Sequence, residues 1–585
     1  MYMSYWSQGN TYPQTSTPAV GYIYIVTLVS VGSSNSSTFT TESSELSYTT
    51  SFKMSPTILD KSKEMTMSPF LLGASTVLLL AYVIRAILAR PQKLSFPVVG
   101  KPDDADFQAA LIEGSAKYPN TPYVLRTDPP LVVLPISTHD EVRNLPESKV
   151  SFMEDVANIF LAKHTGIGED SPAITKVVKT DLTRHVASTV DALQDEMRYA
   201  LDKEFGTCES WTKVVLMEKV LKMVALLSGR VFVGRPLSRT EAWINTSIDY
   251  TADCVKAKDE VAKFPAFLRY FAVPFLPEIR KVKQHKTKAA ELLRPVIEGC
   301  MRRFKEGKGA GKESGDEFDD DQGTFISWVL KWTDEKNREN PFVLAKNQLG
   351  LSFAAIHTTS MGAAHILFDL ASHPEFIAPL REEIEQVIAE DGYEVDGSGS
   401  TNLKKQSFTK LKKMDSLMKE SQRVNPPGLV VNFRLTTSPL TLSTGHTIPK
   451  GTRICYDAHT INTSGPDLSS IPHDPSLIAS LDPPSTFSPF RWSSLRATPG
   501  NESKFQFVTT SKQSINFGHG NHACPGRFFA GVELKVVIVE IIRNWDIRLV
   551  GDKEGKGGER PPNYIYDTNV VPNPFEHLEF RRRKS

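Results

Sequence analysis

The stretch that most restricts this chain is Asn516–Ala530, "NFGHGNHACPGRFFA", where one cysteine stands among glycines just ahead of a helical pattern. The following run, "PGRFFAGVELKVVIVEIIRNW", carries a mainly apolar face at helical spacing, so Cys524 precedes a helix N-terminus. Pro525 suits the first helical position, where its missing N–H costs nothing. The dipole of that terminus and the nearby backbone N–H groups favour thiolate over thiol. Gly518 and Gly520 allow unusual dihedrals and a close backbone approach to something flat.

The other cysteines, Cys208, Cys254, Cys300 and Cys455, are scattered and form no CxxC pair. Together with the odd total of 5, this argues against a disulfide framework and a structural zinc site. A reducing compartment fits better. With 585 residues, the chain is one large domain with appendages, or two to three domains. Its 40% apolar content supports a sizeable core, and a net charge of +1 gives no sign of a nucleic-acid partner.

Residues 1–66 are rich in Ser, Thr and Tyr, with one apolar island at Val20–Gly32, and read as a low-complexity extension rather than a packed domain. "PFLLGASTVLLLAYVIRAILARP" (Pro69–Pro91) is different: Phe70–Ile84 carries no charge, and Arg85 and Arg90 follow. About 20 apolar residues cross a bilayer core, so 67–90 reads as a single transmembrane anchor. The basic residues after it favour a cytoplasmic body, which Lys53, Lys61 and Lys63 on the other side oppose. Met67 stands at the head of the anchor. If translation starts there, or at Met65, residues 1–66 are a gene-model artefact. Asn35 lies in a glycosylation sequon before the anchor, and Asn245, Asn462 and Asn501 lie in sequons after it. A cytosolic body predicts no glycan on those three.

Beyond Pro91, "PYVLRTDPPLVVLP" (Pro122–Pro135) reads as two strands around an Asp-Pro-Pro turn. Residues 151–305 read as helical, broken at "VGRPLSR" and "FPAFLRYFAVPFLP". Glu306–Gly323 and Asp391–Asn402 read as solvated loops, with a long helical stretch from Pro341 to Ala389 between them, broken at Pro374. Short strands alternate with turns from Gly428 to Thr460.

A thiolate on a glycine-rich loop is what axial ligation of a haem iron requires. In Phe517, Gly520, Cys524 and Gly526 the sequence resembles the cytochrome P-450 superfamily of haem-thiolate monooxygenases, whose pattern is F-x-x-G-x-x-x-C-x-G. The resemblance runs from about Lys93 to the C-terminus. It implies a mainly α fold with smaller β-sheets over 91–585, haem b ligated by Cys524, and His522 holding a haem propionate. Glu420 and Arg423 in "KESQR" match its E-x-x-R element, and "FSPFRW" supplies Arg491, which implies a buried structural triad. "FAAIHTTS" matches the oxygen-binding helix pattern. Thr358 would open that helix and bond dioxygen, and His357, where the family usually has a carboxylate, would relay protons. Arg434 in "NFRLTT" matches a propionate-binding arginine. The family's W-x-x-x-R motif is missing from 165–200, which leaves Lys176 or Arg184 as substitutes.

The function implied is monooxygenation of a hydrophobic small molecule with O2 by an enzyme held in membrane lipid, at the endoplasmic reticulum. No dinucleotide or flavin fingerprint is present, so electrons come from a separate NADPH–cytochrome P-450 reductase, with cytochrome b5 a further candidate. "AAIHTT", "VGRPLSR" and "IPKGTRICYDAHTIN" resemble a fungal branch that includes ent-kaurene oxidases and other terpenoid oxidases of secondary metabolism. The rival readings are a haem-thiolate isomerase or dehydratase that needs no reductase, and a membrane haem protein without turnover.

Overall fold

The computed structural model describes residues 94–169, 171–305, 324–395, 401–465 and 474–584. The extension, the 67–90 anchor and the polar run 306–323 lie outside them. Among the described residues no helix is long and apolar enough to cross a membrane.

Where the sequence breaks its helical periodicity, the chain breaks its helices. The long helices before 306 are α1 (Val190–Phe205), α2 (Leu216–Phe232), α3 (Glu241–Ala262) and α4 (Pro277–Lys305). "VGRPLSR" separates α2 from α3 with a short 3-10 turn, Leu237–Arg239, and Thr240 then caps α3 by accepting from the Trp243 N–H. α5 (Pro341–Ser372) starts where Asn340 caps and Pro341 occupies the first turn. It stops at His373, whose backbone leaves the helical region before Pro374. After a further helix at Ile377–Asp391 come α6 (Lys412–Val424) and α7 (Arg527–Asn544).

α5 runs through the main core and packs against α2, α3, α4 and α7. Its C-terminal half is buried and mainly apolar, including Leu367, Phe368 and Leu370, with His365 and Asp369 as buried polar exceptions bonded by Arg560. Each such apolar side chain contributes about 1.5–3 kcal/mol of burial. That places α5 and α7 against each other in the interior, with α7's head leading back to the Cys524 loop.

The larger sheet has six strands: β1 (Val98–Val99), β2 (Tyr123–Leu125), β3 (Leu131–Val133), β4 (Val150–Ser151), β6 (Val430–Thr436) and β7 (Arg453–Asp457). β5 (Thr212–Val215) belongs elsewhere. The spatial order is β1-β2-β3-β7-β6-β4. β2 and β3 pair antiparallel around the Asp-Pro-Pro turn, as the sequence predicts. β7 and β6 pair antiparallel with a register shift: Ile454 faces Arg434, but Tyr456 faces Val431. The extra residue is absorbed near Asn432, which sits at φ +56°, a conformation Asn tolerates better than most residues.

Two strand pairings were not expected. β5 pairs with the terminal strand β9 (His577–Arg582), which also pairs with β8 (Trp545–Leu549), so β9 is central in a three-stranded sheet. The segment read as a solvated loop, Asp391–Asn402, contains a hairpin of Tyr393–Val395 with Thr401–Leu403. Its alternating Tyr-Glu-Val is too short to stand out against the polar composition around it.

Candidate functional site

The loop before α7 is built by its own backbone. The Gly518 N–H donates to the Ile515 carbonyl at 2.7 Å and the Cys524 N–H to the Phe517 carbonyl at 2.7 Å. Gly518 (φ +68°) and Gly520 (φ +84°) take conformations that side chains resist. A Cβ on Gly520 would stand 2.6 Å from the Arg143 carbonyl, and one on Gly518 would stand 2.9 Å from Asn432 Oδ1. One face of each glycine is therefore already covered by protein. Gly526 is roomier, since its Cβ would meet only Val178 at 3.9 Å. Phe517 packs edge to face on Phe507 at 5.1 Å, and Arg527 Nη1 donates to the Cys524 carbonyl at 2.8 Å.

Gly526, not Pro525, is the N-cap, so Cys524 stands two residues ahead of it. Among the described residues Cys524 is half-buried, whereas the other four cysteines are fully buried. Burial pushes its thiol up, against the downward pull of the Gly526 and Arg527 N–H groups. The helix terminus alone does not outweigh burial, contrary to the expectation of a thiolate from local geometry. A charged sulfur here requires a cation opposite it.

Three basic side chains meet beside the loop. Arg434 of β6 is buried, donates to the Phe433 carbonyl at 2.6 Å, and makes no ion pair among the described residues. Burial lowers its guanidinium to about 10. His522 lies 3.3 Å from Glu147, and burial, Arg434 and Lys179 hold its imidazole below the usual value. Lys179 stands in a π-helical turn, Val178–Leu182. Of the two residues offered in place of the missing tryptophan motif, Lys176 sits over the Trp332 ring at 4.4 Å, and Arg184 is exposed, as Lys179 itself is. A buried guanidinium in no direct ion pair among the described residues, with Glu147 and Asp155 near but not bonded to it, suits an anionic group such as the propionates of a haem.

In the middle of buried α5, Ala354 and Thr358 are exposed one turn apart, the signature of a helix face lining an open space. Thr358 Oγ1 donates to the Ala354 carbonyl at 2.7 Å, and α5 is helical without interruption from Pro341 to Ser372. The expected local opening at Thr358 is therefore absent; the hydroxyl back-bonds within an intact turn. His357 points to α3, where its Nε2–H donates to the Ile248 carbonyl at 3.3 Å, and burial lowers its imidazole to about 4.

A further acid escaped the sequence reading. Glu533 of α7 is fully buried, accepts from Ser228 Oγ at 2.7 Å, leaves its Oε2 without a hydrogen-bond partner among the described residues, and is eased by the nearby Thr359 hydroxyl. Burial raises its carboxyl to about 8, so at neutral pH it is mostly protonated. Nothing local marks it, because its partners come from α2 and α5.

The expected triad is assembled. Glu420 accepts from Arg423 Nε (2.9 Å) and Nη2 (2.7 Å), from Arg491 Nε (3.1 Å), and also from Trp492 Nε1 (2.9 Å) and the Ser488 N–H (3.0 Å). All three charged members are buried.

The chain's relatives agree with this geometry. The family model "Cytochrome P450" matches residues 171–563. Cytochrome P450 monooxygenase ascG of Acremonium egyptiacum is 45% identical over 516 residues, covering 87% of this chain and 95% of its own length. Cytochrome P450 monooxygenase BOA7 of Botryotinia fuckeliana is 42% identical, covering 85% and 91%. Cytochrome P450 monooxygenase 3 of Gibberella fujikuroi is 36% identical, covering 88% and 95%. Among solved structures, the retinoic acid-bound cyanobacterial CYP120A1 matches with a TM-score of 0.56 at 14% identity, over 82% of this chain and 95% of its own, which shows the shared fold. The chain belongs to the cytochrome P450 family and is a haem-dependent monooxygenase of its fungal branch.

Proposed function

We propose that Cys524 is the axial thiolate of the haem and that the enzyme oxidises a hydrophobic small molecule, a terpenoid or related fungal secondary metabolite. The observation that carries the haem assignment is the buried Arg434, in no direct ion pair among the described residues, beside His522 and the Cys524 loop. Arg434, His522 and Lys179 would hold the propionates, and Phe517, Gly520 and Gly526 would shape the floor. When bound, the haem activates dioxygen so that one oxygen atom enters the substrate and the other leaves as water.

The chain's own part is to hold cofactor, substrate and protons. Thr358 and Ala354 present the open face of α5, and the Thr358 hydroxyl is the polar group available there. His357 docks α5 on α3 and is neutral, so it serves position rather than proton delivery. Glu533, protonated at neutral pH and near Thr359, the neighbour of Thr358, is the better proton store. Phe353 and Phe160, edge to face at 5.3 Å, and Ile174 at 3.8 Å from the Cβ Gly350 lacks, supply apolar surface suited to such a substrate.

Membrane attachment is supported by the 67–90 run and by a second apolar surface. Phe267, Leu268, Tyr270, Phe271 and Phe275 are all exposed within one short segment before the basic start of α4. Electrons would come from a membrane-bound NADPH–cytochrome P-450 reductase. Of the three downstream sequons only Asn245 is exposed; Asn462 and Asn501 are buried. Orientation is therefore read at Asn245 alone, where a glycan would contradict a cytosolic body.

The deciding experiment is the ferrous–CO spectrum of the expressed protein beside Cys524→Ser. A strongly red-shifted Soret band that the variant lacks is expected. A well-folded parent without that band, or a variant that keeps it, would overturn the ligand assignment.

A further inference from the structure

The Cys524 loop contains a second histidine, His519, whose surroundings are as specific as those of the cysteine. Its Nε2 lies 2.9 Å from Arg143 Nη1 and its Nδ1 lies 3.0 Å from Thr510 Oγ1. A guanidinium only donates, so Nε2 accepts, Nδ1 carries the proton, and that proton goes to the Thr510 hydroxyl. The ring stacks on His139 at 5.6 Å and 16°. His139 is fully buried, takes a bond at Nε2 from Asn432 Nδ2 at 2.9 Å, and leaves its buried Nδ1 without a partner.

The same residues cover the two strained glycines. Asn432, turned by the bulge in β6, packs its Oδ1 on Gly518, and the Arg143 carbonyl packs on Gly520. Asn521 adds a bond to the Asn144 carbonyl at 3.2 Å. The loop is thus held by the 139–144 segment and the bulge through a pair of stacked imidazoles.

We propose that His519 is a positioning residue that locks the Cys524 loop in its haem-binding conformation through the Arg143–His519–Thr510 bridge stacked on His139. The proposal rests on the reading that Cys524 ligates haem. The bridge works only with a neutral ring. A proton on Nε2 would face the Arg143 guanidinium and remove the acceptor that Arg143 uses. The charged and titratable groups around the pair are Arg143 and Asp140, which pair with each other, Lys512 on Asp140, Tyr456 on the His139 ring and Arg434 on the strand, and Asp140 is the single acid among them. Burial and Arg143 hold His519 below the usual imidazole range, while Asp140 pulls the other way.

The test uses the full-length holoenzyme, His519→Ala and His519→Asn. The Asn amide can accept from Arg143 and donate to Thr510 but cannot titrate. Three quantities are measured: haem transfer to apomyoglobin, the share of red-shifted ferrous–CO band, and hydrogen exchange of the peptide 516–524. At about pH 7.5, His519→Ala is expected to lose haem on the order of tenfold faster and to exchange the peptide faster, the scale of one hydrogen bond to a charged group. His519→Asn is expected to restore the parent's behaviour. As pH falls below about 6.5, the ordinary imidazole value, the parent should lose haem faster with acid and His519→Asn should not. An Ala variant indistinguishable from the parent, or equal acid acceleration in parent and Asn variant, overturns the proposal. A parent without the red-shifted band would instead refute the ligand assignment. The exchange measurement, which needs no haem, would then still decide whether His519 locks the loop.

Discussion

Glu420→Gln removes one negative charge from a site where two guanidinium groups were arranged around it. The side chain of Glu420 is 0% exposed, those of Arg423 and Arg491 are 6% and 2% exposed, and every donor on the carboxylate lies within 3.1 Å. Removing one partner of a buried ion pair costs about 3–5 kcal/mol, because the other charge stays buried. Here two charges are left, and the new amide NH2 points at donors. Both arginines keep backbone carbonyls: Arg423 those of Asn462, Pro484 and Thr486, and Arg491 those of Asp482, Pro483 and Thr486. Those bonds limit the damage, so we expect a loss of about 3–5 kcal/mol rather than twice that. Against a total stability of roughly 5–15 kcal/mol this is a large fraction. Urea unfolding followed by tryptophan fluorescence, with haem content measured alongside, reads it directly. The double variant with Arg423→Met should lose less than the sum of the single losses, because the two residues share one network. If Glu420→Gln unfolds within about 1 kcal/mol of the parent, the carboxylate is not the centre of a desolvated charge cluster, and a stranded pair of buried guanidinium groups costs far less here than in other buried ion pairs.

Glu533→Gln should gain stability over the parent by about 1.4 kcal/mol per pH unit between pH 4.5 and 8. The folded parent binds a proton there that the unfolded chain has released, so parent stability falls as pH rises; parallel pH profiles would refute the raised carboxyl. Burial lowers His139 to about 4 from an ordinary 6.5. Its contribution is therefore complete above pH 6.5 and falls by about 3 kcal/mol as pH drops to 4, where the unfolded chain binds the extra proton. His139→Gln should flatten that part of the profile. Gly520→Ala forces a Cβ to within 2.6 Å of the Arg143 carbonyl at φ +84°. A loss of about 1–3 kcal/mol and of bound haem is expected, measured by unfolding and by absorbance. An Ala variant with full haem content would show that the loop can shift.

The parts of the site legible in the sequence are those whose residues lie close together in it. Phe517 to Gly526 fix a loop by their own dihedrals, and Glu420 with Arg423 pair across one turn of α6. The strands either side of the Asp-Pro-Pro turn carry their own signal. What could not be read depends on distant partners. Lys179 acts on His522 from within a π turn, a distortion that helical periodicity does not signal. β5 looks like the run-in to α2 until residues 577–580 pair with it. Glu533 is one more polar residue on an apolar helix until Ser228 and Thr359 meet it. His519 gains its meaning from Arg143 and His139, which lie far back toward the start of the folded body.

The central place of β9 has a consequence for synthesis. Residues 577–582 leave the ribosome after the whole cysteine loop, yet among the described residues they are the link between β5 and β8 in that sheet. Until they emerge, two strands expose unsatisfied edges and α1, α2 and α7 lack a finished floor. A nascent chain stopped a few codons short would carry every residue of the cysteine loop and still present those open edges to chaperones and proteases. Emergence of the cysteine loop is therefore not enough to close the fold, because β9 joins segments made well before it.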